Sequence, residues 1–67
     1  MKLYVNEEEH QEKSAISLAA LMRRLGHSDF AGMAVAVNGR VIPKKDWDGY
    51  QPRDEDRLTV IRAIQGG

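Results

Sequence analysis

The segment Leu58-Thr59-Val60-Ile61-Arg62-Ala63-Ile64-Gln65-Gly66-Gly67 decides how the rest of the chain is read. From about Arg57 it alternates as a strand does, and if Leu58 and Val60 face a core, Ile61 and Ala63 fall on the exposed face. The apolar run then ends in two residues without side chains. Glycines lacking Cβ make a thin tail, Gln65-Gly66-Gly67, able to thread a narrow channel and bring a carboxylate against another protein's backbone. That α-carboxyl is an anion at neutral pH. It is therefore a nucleophile suited to attack on the α-phosphate of ATP, giving an acyl-adenylate open to a thiol or persulfide. The competing reading is a frayed end, where disorder and small residues concentrate.

Working outward, 67 residues allow one domain, 1–67, with a compact core and a flexible tail at 65–67. A hydrophobic fraction of 42% and a charged fraction of 30% are those of a folded domain. Ten basic and ten acidic residues cancel, so no global field draws the chain to nucleic acid or an anionic membrane, and neither is expected as a partner. The chain has no cysteine, which removes disulfides, thiolate metal sites and a thiol nucleophile of its own. Any sulfur handled at the terminus must come from another protein. Met1 to Val5 is too short for a signal-peptide core and runs into Glu7-Glu8-Glu9. A cytoplasmic location is expected.

Met1-Lys2-Leu3-Tyr4-Val5 alternates as a half-buried strand, and after a polar turn at Asn6 to Glu9 the pattern predicts a weak second strand over His10 to Lys13. Ser17 is placed to cap a short helix whose apolar face is Leu18, Leu21, Met22 and Leu25, stopped by Gly26. Met33 to Val37 reads as a strand. Asn38-Gly39 is a hairpin turn, and Arg40-Val41-Ile42 returns before Pro43 ends the pairing. The polar stretch from Lys44 to Asp56 is anchored by Trp47 and Tyr50. Hairpin, helix, two strands, irregular link and final strand predict an α+β domain with one helix across a small mixed sheet. Placing the first and last strands side by side in its centre gives the β-grasp, or ubiquitin-like, arrangement.

That order, Val37-Asn38-Gly39-Arg40-Val41-Ile42-Pro43, the acidic turn Asp54-Glu55-Asp56 and the Ile64-Gln65-Gly66-Gly67 ending together resemble the ThiS family, ubiquitin-like sulfur carriers of thiamine thiazole biosynthesis. The resemblance implies that Gly67 is adenylated by a ThiF-type activating enzyme using ATP and magnesium, with no cofactor bound to the chain itself. It also implies a thiocarboxylate made with sulfur from a cysteine desulfurase or other persulfide donor, and a ThiG-like thiazole synthase as acceptor. The chain would then be a co-substrate and not an enzyme. Two departures stand out: the family commonly has glycine where Glu55 stands, and Trp47-Asp48-Gly49-Tyr50 is richer in aromatics. The same tail also suits carriers serving molybdopterin, cysteine or tRNA thiolation. A β-grasp interaction domain with an inert ending is the reading from a different class.

Other chemistry finds little support. His10 and His27 have neither cysteine partners nor helical spacing, so no metal site is expected. The acidic residues from Asp46 to Asp56 lack the spacing of a calcium loop. A partner that handles Gly67 must also grip the body, and Ile61, Ala63 and Ile64 are the nearest apolar candidates. Tyr4 and Ala36 extend that partner-binding patch if they point outward on neighbouring strands.

Overall fold

The last strand occupies the middle of the sheet. The structure, a computed structural model, describes residues 1–63. It contains β1 (Lys2–Val5), β2 (Glu8–Gln11), α1 (Leu18–Arg24), β3 (Met33–Val37), β4 (Arg40–Val41), a 3₁₀ turn (Lys44–Asp46) and β5 (Arg57–Arg62). Sheet order is β2-β1-β5-β3-β4. β1 runs parallel to β5, with Val5 opposite Leu58. β3 runs antiparallel to β5 from Met33↔Arg62 to Val37↔Leu58. This is the expected β-grasp arrangement, with the first and last strands adjacent and α1 across one face.

Alternation assigns the faces. Leu3, Val5, Met33, Val35, Val37 and Leu58 are buried against Leu18, Leu21 and Met22 of the helix. Each such side chain contributes roughly 1.5–3 kcal/mol when fully buried. Ser17 caps the helix as expected, its Oγ accepting from the Ala20 N–H at 3.1 Å. The two preceding helical N–H groups are met by the Lys44–Asp56 link: Leu18 donates to the Tyr50 carbonyl at 2.7 Å and Ala19 to the Trp47 carbonyl at 3.0 Å. Trp47 is 1% exposed, and its indole N–H donates to the Ile42 carbonyl at 2.8 Å. The aromatic link is thus a lid on the helix N-terminus and part of the core.

The second strand begins earlier than its sequence pattern predicts. It spans Glu8–Gln11 rather than residues 10–13, because Asn6 (φ 50°) and Glu7 (φ 70°) complete the turn by themselves and Val5 pairs directly with Glu8. Glu12, freed from the strand, is 7% exposed and takes an ion pair from Arg24 at the end of the helix.

The acidic turn accepts glutamate in the left-handed region, with φ 69° at Glu55. Its flanks hold that geometry. Asp54 Oδ1 accepts from the Lys2 N–H at 2.7 Å, and Asp56 accepts from the Asn38 amide at 2.9 Å and the Arg53 N–H at 2.8 Å.

Candidate functional site

The face of the sheet opposite α1 is open. Ile61 is 60% and Val41 66% exposed, the two large apolar side chains left in solvent among the described residues. Register brings them toward one another: Ile61 lies opposite Ala34, and Ala36 sits between Thr59 on β5 and Val41 on β4. The result is an apolar strip across β5, β3 and β4, ending where the chain leaves the sheet.

Of the predicted partner-binding residues, Ala36 and Ile61 belong to this strip. Tyr4 reaches the same face from β1, opposite Arg57. It forms a cationic edge to the strip, with the Arg57 guanidinium 4.5 Å and the Lys2 ammonium 5.5 Å from its ring centre. The Lys2 pKa is raised, chiefly by side-chain hydrogen bonding and charge interaction with Tyr4 and then by Glu9. Ala63 is exposed just past β5 and donates its N–H to the Gly32 carbonyl at 2.7 Å. Ile64, Gln65, Gly66 and Gly67, and with them the tail predicted to be flexible, lie outside the described residues.

Sequence reading missed Ala34 and Val41. Ala34 follows from Ala36 by the two-residue strand period, whereas Val41 was absorbed into a hairpin return whose outward face carried no separate signal. Among the described residues no group of three histidine, cysteine or acidic side chains is placed to hold a metal ion. No helix among them is long and apolar enough to cross a membrane.

The open face thus presents an apolar strip on β3, β4 and β5 with a cationic edge at Tyr4. The model of the ThiS family matches residues 1–67. The chain belongs to the ThiS family. It is similar to the sulfur carrier protein ThiS of Escherichia coli (strain K12), at 25% identity over 67 residues and the full length of both chains. The crystal structure of a thiamine biosynthesis protein (ThiS) from Geobacter metallireducens superposes with a TM-score of 0.83, at 22% identity and full coverage of both chains. A solution NMR structure of a thiamine biosynthesis protein from the same organism gives 0.81 at 22% identity, over all of this chain and 88% of that one. These superpositions establish the fold. Within this ThiS-family chain Ala34, Ala36, Val41 and Ile61 lie on the face of the sheet that α1 leaves open.

Proposed function

We propose that this chain is a sulfur carrier for synthesis of the thiamine thiazole, a co-substrate whose reacting group is the Gly67 carboxylate. The observation that carries the reading is the match to the ThiS family over the whole chain, through the Gly66-Gly67 ending. The absence of cysteine supports it, because a carrier of this kind takes sulfur from elsewhere.

The chemistry runs in balanced steps. A Gly67 carboxylate oxygen attacks the α-phosphorus of ATP in a ThiF-like adenylating enzyme, with magnesium on the phosphates, and pyrophosphate leaves. A persulfide, supplied by a cysteine desulfurase or related donor, attacks the acyl carbon and expels AMP. A thiol then cleaves the resulting acyl disulfide, leaving the thiocarboxylate and a mixed disulfide. Adenylation converts a poor electrophile into one with a good leaving group. A ThiG-like thiazole synthase consumes the thiocarboxylate. All of this takes place in the cytoplasm.

The carrier contributes position and not catalysis. The strip around Ile61 docks the body, and side-chain-free residues at the end admit the carboxylate to a confined site. A ThiF-type enzyme with Mg-ATP should release pyrophosphate only when the chain is present, and deletion of Gly67 should abolish that release. No release by an enzyme that is active on its own carrier would contradict the proposal.

A further inference from the structure

β5 leaves the sheet held on one side. Its pairing toward β1 ends at Val60, which bonds the Asn6 side chain. Toward β3 the pairing continues to Met33↔Arg62 and then into the loop preceding β3. There the Ala63 N–H donates to the Gly32 carbonyl at 2.7 Å, and the Arg62 guanidinium donates to the Asp29 carbonyl.

That loop is itself anchored. The half-buried Phe30 ring lies 5.0 Å from the Trp47 ring, with the Arg23 guanidinium 5.3 Å from its centre. Asp29 Oδ1 accepts from the Ala31 N–H at 2.9 Å, which fixes the carbonyl that Arg62 uses. Gly32 turns the chain with φ +74°, and a Cβ there would sit 3.7 Å from the Ala63 Cβ and carbonyl oxygen. Arg62 is solvent-exposed although its partner in the register, Met33, is buried. Its side chain reaches across to the loop and takes no part in the core.

We infer that Arg62 and the Asp29–Gly32 loop form a clamp that fixes where the chain leaves the sheet, and that Arg62 is a positioning residue for activation of Gly67. This rests on the proposed carrier function. Four residues reach at most about 14 Å beyond Ala63. A point about 14 Å beyond that root moves by about 2.4 Å when the root tilts by about 10°, and a misplacement of about 1 Å costs a reaction up to about 100-fold. With the clamp intact, a body docked through Ile61 starts its last four residues from one fixed point and direction.

The test combines amide exchange on the free chain with steady-state adenylation. Arg62→Ala should speed exchange of the Ala63 N–H by about tenfold while leaving the melting temperature within about 2 °C. It should lower kcat for pyrophosphate release by about threefold to tenfold with KM within about twofold. Arg62→Lys, which keeps a donor, should recover part of the loss. Gly32→Ala should reproduce the kcat loss, and the double variant should lose little more than either single one. Unchanged Ala63 exchange in Arg62→Ala overturns the clamp even if Gly32→Ala fails to fold. A rise in KM alone, or fully additive losses, overturns the positioning role in favour of direct contact with the enzyme. A wild-type chain that no adenylating enzyme accepts overturns the functional reading, a result distinct from either.

Discussion

The side-chain amide of Asn6 stands in for a strand residue beside Val60: the Val60 N–H donates to Asn6 Oδ1 at 2.8 Å, and Asn6 Nδ2 donates to the Val60 carbonyl at 3.2 Å. β1 has already turned away at this point, since Asn6 is the first residue of the two-residue turn. One asparagine thus serves the turn and the central strand. Asn6→Ala removes both bonds and puts alanine at φ 50°. With roughly 0.5–1.5 kcal/mol per bond, discounted for exposure, and about 1 kcal/mol of left-handed strain, the loss should be about 2 kcal/mol. Urea titration measures it, and a loss below about 0.5 kcal/mol would show that the bonds add nothing to stability.

Trp47 joins the irregular link to the core. Trp47→Ala should cost about 3–5 kcal/mol, close to the whole stability expected of a chain this size, so the variant should be largely unfolded by circular dichroism. Trp47→Phe keeps most of the packing but strands the Ile42 carbonyl, and should cost about 1–3 kcal/mol.

Glu55 sits at φ 69° in the acidic turn. Glu55→Gly relieves about 1–2 kcal/mol of strain and adds about 0.5–1 kcal/mol of unfolded-state entropy, a net gain of about 0.5 kcal/mol. The Glu55 N–H bond to the Lys2 carbonyl survives the change. A rise in melting temperature of about 2–4 °C should follow, and a fall would mean that the glutamate side chain makes a compensating interaction.

Ile61 is exposed and faces away from the helix. Ile61→Glu should therefore leave the melting temperature within about 2 °C while raising KM for the adenylating enzyme by about tenfold or more. An unchanged KM would remove the strip from the docking surface.

Much of the fold is legible because local signals and the global arrangement agree. Ser17 before an apolar helical face, Asn38-Gly39 between alternating strands and Trp47 in a polar stretch each state their role within a few residues. The start of β2 is not legible, since Asn6-Glu7-Glu8-Glu9 holds no glycine to mark where the turn stops, and Glu7 adopts φ 70° without one. Glu55 is similar: its left-handed conformation is held across the length of the chain by the Lys2 N–H, which donates to Asp54 Oδ1, and by its own N–H, which donates to the Lys2 carbonyl. At the site, period-two alternation places Ile61 and Ala36 outward, and Ala34, two positions before Ala36, is the step it leaves untaken. Arg62 gave no signal, because its partner is a backbone carbonyl 33 positions away whose direction depends on the fold of a loop.

The central claim is that Gly67 carries sulfur, and intact mass spectrometry tests it most directly. After incubation with a ThiF-type enzyme, Mg-ATP and a persulfide donor, the chain should gain about 16 Da, one oxygen exchanged for sulfur, and fragmentation should place the gain on Gly67. An unchanged mass, with enzyme and donor shown to be active on another carrier, would contradict it.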